Sequence, residues 1–107
     1  MEISQHAGTI LQNARTTGNG TAVNLDSTQR EVTVYLRADG TVSAGAVTIE
    51  TADSTTYAGT WASLAVVTLT TDTTVVVQVT GSMLAIRARI STDITGGATL
   101  TAKLLAN

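Results

Sequence analysis

Residues 31–51 read EVTVYLRADGTVSAGAVTIET, and their pattern indicates how this chain folds. In the first half, apolar residues alternate with polar or larger ones, which is the period of a strand that is buried on one face. The apolar face carries Val32, Val34, Leu36 and Ala38, and the other face carries Thr33, Tyr35 and Arg37. Asp39-Gly40 then predicts a tight hairpin turn, because glycine readily adopts positive φ. The segment GAVTIET predicts a second strand.

The same alternation recurs in two later segments, residues 83–92 and 98–106. The residues predicted to face inward are Leu84, Ile86, Ala88 and Ile90 in the first segment, and Ala98, Leu100, Ala102 and Leu104 in the second. Further strands are predicted within residues 9–14, 21–26, 61–70 and 74–80, with turns at residues 19–20 and 95–97. Since 22 of the 107 residues are threonine, a β-branched residue, strands are favoured over helices. The sequence therefore predicts an all-β protein, an antiparallel, jelly-roll-like β-sandwich of about seven or eight short strands.

A chain of this length fits one domain. Residues 1–8 match no strand pattern, so they are predicted to form an N-terminal arm, and residues 9–107 the sandwich. The core must be built from small aliphatic side chains, because the chain has no phenylalanine, two tyrosines and one tryptophan. Such a core buries little area per residue. We therefore expect part of the stability to come from association into a homo-oligomer.

Composition argues against several classes of partner. The formal net charge is −2 and the lysines and arginines are scattered singly, so no basic stripe for nucleic acid is present. The absence of cysteine excludes disulfides and thiolate chemistry. The uncharged run of residues 54–71 is interleaved with serine, threonine and glycine, unlike a membrane span. The first ten residues lack the basic and apolar regions of a signal peptide, which predicts synthesis in the cytoplasm.

No group of residues predicts catalysis. The single histidine, His6, lies in the predicted arm, where a general base would be poorly positioned, so it is interpreted as a solvated residue or an interface contact. The acidic residues stand singly, mostly in or beside turns. Neither a calcium loop nor a phosphate-binding glycine motif is present. We therefore expect a protein that is not an enzyme and has no cofactor and no metal site.

Two groups of residues have alternative interpretations. Trp61 is either packed between the sheets or exposed as a binding platform, together with Tyr57, for a sugar ring or a protein partner. Arg87 and Arg89 are two residues apart on one strand, so both must project from the same face. They either pair with an acid on a neighbouring strand, such as Glu50 or Glu31, or anchor a subunit interface.

The order of these segments resembles that of small β-sandwich structural proteins from the virions of tailed bacteriophages. The matching pieces are VTIE at residues 47–50, WASL at 61–64, IRARI at 86–90 and the glycine turn with its threonine-rich strand at 96–104. The resemblance covers residues 30–107, whereas the loop before Trp61 is longer than is usual in these proteins, and the N-terminal third has no counterpart.

This resemblance implies a location in the virion and a role as a head decoration or cement protein. Such a protein would be a homotrimer that binds the assembled major capsid protein and stabilises the shell. The alternatives are a neck or tail-accessory structural protein and a carbohydrate-binding or host-attachment module.

Overall fold

The computed structural model describes residues 6–25, 31–81 and 84–107, and these residues form nine strands and no helix. The strands are β1 (His6–Ala14), β2 (Gly18–Asn19), β3 (Val23–Asn24), β4 (Glu31–Asp39), β5 (Ala44–Ala52), β6 (Ala62–Thr68), β7 (Thr74–Thr80), β8 (Ala85–Thr95) and β9 (Thr99–Ala106). They make two antiparallel sheets, which confirms the predicted all-β sandwich.

Sheet A has the strand order β1-β9-β4-β7, and sheet B has the order β2-β8-β5-β6, with β3 also paired to β8. The short strand β2 lies in a segment predicted as a loop; its residues pair with Ile90 and Arg89 of β8. Strand β3 lies within residues 21–26, where a strand was predicted. Strand β2 is therefore the one strand beyond the eight predicted segments.

The turns at residues 39–40 and 95–97 do not make hairpins, which corrects the prediction for Asp39-Gly40. They join β4 to β5 and β8 to β9, and in each case the two strands belong to different sheets. Gly40, Gly96 and Gly97 do have positive φ, between 101° and 108°. The local pattern of strand, glycine and strand is the same whether the chain returns to its own sheet or crosses to the other, so the sequence could not distinguish the two.

The core lies between the inner faces of the sheets and follows the predicted alternation. Its fully buried side chains come mainly from β4, β5, β8 and β9: Val32, Val34, Leu36, Val47, Ile49, Ile86, Ala88, Ile90, Leu100, Ala102 and Leu104. Leu84 is the exception, since it precedes the first residue of β8 and is 58% exposed. The next residue predicted to face inward, Ile86, is fully buried in the core.

Strand β1 begins at His6, inside the segment predicted as an arm. His6, Ala7 and Gly8 pair with Ala106, Leu105 and Leu104 of β9. A ladder of backbone hydrogen bonds does not require an apolar alternation, which explains why the pattern missed these three residues. Residues 1–5 of the predicted arm lie outside the described residues. In the part of the chain that is described, no helix has the length and apolar character needed to cross a membrane.

Candidate functional site

The outer face of sheet B carries a cluster of three charged side chains. Glu50 of β5 lies directly opposite Arg87 of β8. Their neighbours Ile49 and Ile86 point into the core, so the pleat directs Glu50, Arg87 and Arg89 to the outer face. Arg87 donates from Nε to Oε1 of Glu50 at 3.0 Å, and Arg89 donates from Nε to Oε2 at 3.1 Å. One carboxylate therefore holds two guanidinium groups.

This arrangement identifies the acid that pairs with the two arginines. It is Glu50, whereas Glu31 lies on β4 in sheet A. The Glu50 side chain is 5% exposed, that of Arg87 is 14% exposed and that of Arg89 is 34% exposed. The cluster has a net charge of +1, and Arg89 is its most accessible member. The role of the two arginines at an interface stays a prediction.

Trp61 matches neither sequence interpretation. It is 3% exposed, so it is not an open platform, yet it lies apart from the core between the sheets. Its ring instead packs on the outer-face cluster, with Cζ of Arg87 4.2 Å from the ring centroid. A guanidinium group at this distance is attracted to the face of an indole ring. Trp61 therefore packs against Arg87, one member of the ion-pair cluster.

Trp61 also fixes the loop of residues 53–61 that joins β5 to β6. Its Nε1 donates to the backbone oxygen of Tyr57 at 2.9 Å, and the backbone nitrogen of Tyr57 donates to the backbone oxygen of Ser54 at 3.3 Å. The Tyr57 ring lies against Gly59, where a Cβ atom would collide with it. Tyr57 remains 47% exposed. The loop thus presents an aromatic ring from a backbone that is tied to sheet B.

A further apolar side chain completes the exposed surface on this side of the sandwich. Val66 of β6 pairs with Thr48 of β5, on the same face as Glu50, and is 66% exposed. We call the surface formed by Tyr57, Val66 and Arg89, with Trp61, Arg87 and Glu50 beneath it, the sheet B face. The sequence analysis did not single out Val66, because WASLAVVTLT lacks a clear alternation.

The structure thus brings together four of the five candidate residues from the sequence: Tyr57, Trp61, Arg87 and Arg89. The backbone of the fifth, His6, lies in the other sheet: it belongs to β1 of sheet A and pairs with Ala106.

No family model and no curated protein matches the chain. Among solved structures, the fold is similar to that of the SPBc2 prophage-derived protein YomS, with a TM-score of 0.69 and 13% identity over 96% of this chain and 92% of that one. It is also similar to the PBSX exported protein XepA, with a TM-score of 0.64 and 16% identity over 94% of this chain but 36% of XepA. A third similar structure is described as "Bacillus endospore appendages form a novel family of disulfide-linked pili", with a TM-score of 0.52, 12% identity, and coverage of 96% and 85%. At these identities the likeness concerns the fold alone.

The outer face of sheet A has a depression beside an exposed tyrosine. A shallow depression of about 230 Å³ is lined by Tyr35, Arg37, Thr74, Thr101 and Lys103. Tyr35 is 43% exposed. The alternation in EVTVYLRA had placed Tyr35 outward without assigning it a role. In the described ranges, no three or more His, Cys, Asp or Glu residues come together as a metal-binding group.

Asp93, near the end of β8, is held by a threonine that precedes β2. Its Oδ1 accepts a hydrogen bond from Oγ1 of Thr17 at 2.7 Å and another from the backbone nitrogen of Thr17 at 2.6 Å. These two bonds hold the pKa of Asp93 below its ordinary value because they stabilise the ionised carboxylate. The bond from the Thr17 side chain has the larger effect and the bond from its backbone the smaller. The contact ties the segment between β1 and β2 to sheet B.

We expect the pKa of Asp93 to rise when Thr17 is replaced by valine, since T17V removes the hydroxyl donor. A lowered pKa in the folded state means that the contact stabilises the fold above the pKa of the unfolded aspartate, about 3.9, and that this stabilisation is lost as the pH falls through the lower folded value. Titration of the Asp93 carboxyl by NMR in both proteins measures the shift. An identical pKa in the two proteins would contradict the contact.

Proposed function

We propose that this chain is a structural protein of a tailed-phage virion that decorates the assembled head and binds the major capsid protein through its sheet B face. The observation that carries the proposal is the fixed arrangement of that face. Two arginines, one buried glutamate and one buried tryptophan hold a loop whose tyrosine is exposed. Groups fixed before binding lose little conformational entropy when a partner docks, so the arrangement suits binding.

The composition of the sheet B face suits a protein partner. Tyrosine and arginine are enriched in protein interfaces, and Tyr57 and Arg89 are exposed beside an apolar Val66. Because the Glu50 cluster retains one positive charge, the complementary surface on the capsid is expected to carry a carboxylate near Arg89. A protein that binds the assembled shell and not its free subunits stabilises the shell by mass action. The mechanism proposed is therefore mechanical reinforcement, without catalysis.

The fold supports a phage origin for this role. The similar structure YomS is described as prophage-derived, and the sequence resembles small virion sandwiches over residues 30–107. The resemblance favours a homotrimer on the capsid lattice. Virion location, the trimer and the capsid partner are parts of the same proposal.

Other roles have less support from the sheet B face. A carbohydrate module would require an open aromatic platform, but Trp61 is buried, which leaves Tyr57 as the exposed ring of that pair. A pilus of the disulfide-linked kind has no support from these 107 residues, which contain no cysteine. A neck or tail-accessory protein remains the second candidate, since the similar structures do not distinguish one part of a virion from another.

Binding to empty heads that lack this protein tests the proposal. We expect the wild type to co-sediment with the heads at saturation, and Tyr57→Ala to weaken binding about tenfold or more, as for an aromatic residue at the centre of an interface. Tyr35→Ala is the matched control, because Tyr35 is similarly exposed but lies on sheet A. Binding to tails and not to heads would favour the second candidate. Equal loss in both variants, or no binding by the wild type, would contradict docking through the sheet B face.

A further inference from the structure

Strand β7 forms an open edge of sheet A. Among the described residues it pairs with β4 alone, in an unbroken register from Thr74 opposite Arg37 to Thr80 opposite Glu31. Its second side therefore presents a row of backbone donors and acceptors seven residues long. Such an edge is a template for pairing with another chain.

The core is also incomplete at this edge. Val75, Val77 and Val79 of β7 lie opposite Leu36, Val34 and Val32 of β4, on the same face of the sheet. The three β4 side chains are at most 1% exposed, whereas the three valines are only half-buried. Burial falls across one strand spacing because no further described strand lies beyond β7. A strand added there would cover the valines.

The residues of β7 do nothing to block such pairing. The strand reads TVVVQVT, without charge, proline or glycine, and its pairing with β4 contains no bulge. Among the described residues the other edge strands differ: β1 and β6 have irregular registers with their partner strands, and β2 and β3 have two residues each. Charges, prolines and bulges are the usual means by which edge strands avoid association. Their absence from β7 indicates an edge that is used.

The sequence of β7 also complements itself. When two copies run antiparallel about Val77, Thr74 meets Thr80, Val75 meets Val79 and Val77 meets its own counterpart. The inner row then consists of valines alone, and no like charges are opposed. We propose that β7 pairs with β7 of a second copy of this chain about a two-fold axis at Val77, which joins two four-stranded sheets into one of eight strands. An isologous contact of this kind closes on itself and does not propagate into a fibre.

This contact is separate from the sheet B face and from the trimer proposed above, and it would link copies that belong to neighbouring trimers. Capsid binding and β7 pairing can each fail without the other. The two-fold contact is therefore tested on the free protein.

Single cysteines provide the test, because the natural chain contains none. Paired residues in an antiparallel ladder have Cα atoms about 4.5–5.5 Å apart, within the range of a disulfide. We expect Val77→Cys to form a covalent dimer on mild oxidation. Thr74→Cys or Thr80→Cys alone should not, since its two copies would lie six residues apart, about 20 Å along the strands.

Mixing the T74C and T80C proteins should restore the covalent dimer, with one chain of each kind. Both positions are exposed, so neither substitution disturbs the core. The mixture therefore tests the register even if the V77C protein does not fold. Distinct mass tags on the two proteins identify the mixed product. Crosslinking that is equal at all three positions, or absent from both V77C and the mixture, would overturn the proposal.

Discussion

Replacing Glu50 by alanine is expected to lower the free energy of unfolding by about 3 kcal/mol, because it leaves two arginines on the sheet B face without their counter-ion. Removal of one partner from a buried ion pair costs roughly 3–5 kcal/mol. The lower end applies here, since the Arg89 side chain is 34% exposed and can be partly solvated. For a domain of this size the loss corresponds to a decrease in Tm of roughly 10–15 °C. Urea unfolding followed by circular dichroism measures it.

The exposed ion pair of Arg37 and Asp39 provides the matched control. Its atoms are also 3.0 Å apart, but both side chains are 53% exposed. Asp39→Asn is therefore expected to cost less than about 1 kcal/mol. Equal losses for E50A and D39N would show that burial does not strengthen the Glu50 cluster.

Replacing Trp61 by alanine is expected to cost about 3 kcal/mol and to release the loop of residues 53–61. Truncation of a buried tryptophan commonly costs 3–5 kcal/mol, and the lower end fits a site on the outer face, where water can fill the space. The hydrogen bond from the indole to the Tyr57 backbone oxygen and the contact with Arg87 are lost together. Hydrogen exchange should become faster in this loop before it changes in β4 and β9.

Trp61→Phe separates the contribution of the indole hydrogen bond from that of the ring contact with Arg87. A phenyl ring can still pack on Arg87, but it has no N–H to donate to Tyr57, so a cost of about 1 kcal/mol beyond the loss of volume is expected. An unchanged rate of amide hydrogen exchange in the loop of W61A would show that Trp61 does not fix the loop.

The sequence revealed most of the fold because the residues that build it obey a local rule. Alternation in EVTVYLRA and in residues 98–106 identified β4, β9 and their buried faces, and IRARI identified the inner and outer faces of β8. The same rule placed Arg87 and Arg89 on one face, where Glu50 and Glu31 were both named as possible partners. Each of these inferences needs only the two-residue period of a strand.

Properties that depend on distant residues were not accessible in this way. Whether the turn at Gly40 returns to its own sheet or crosses to the other depends on strand pairing far along the chain, with β9 and β8. The position of Trp61 depends on Arg87, 26 residues later, which offers a guanidinium surface outside the core. Residues 6–8 join sheet A through backbone bonds to β9, and side-chain patterns contain no record of such bonds.

Electron cryomicroscopy of tailed-phage virions assembled in the presence of this protein is the most direct test of its proposed role. The expected map contains sandwich density on the outside of the head, with Tyr57, Val66 and Arg89 facing the major capsid protein. Intact virions with the sandwich absent from the head, or bound there through sheet A, would contradict the proposed function or the proposed docking face, respectively.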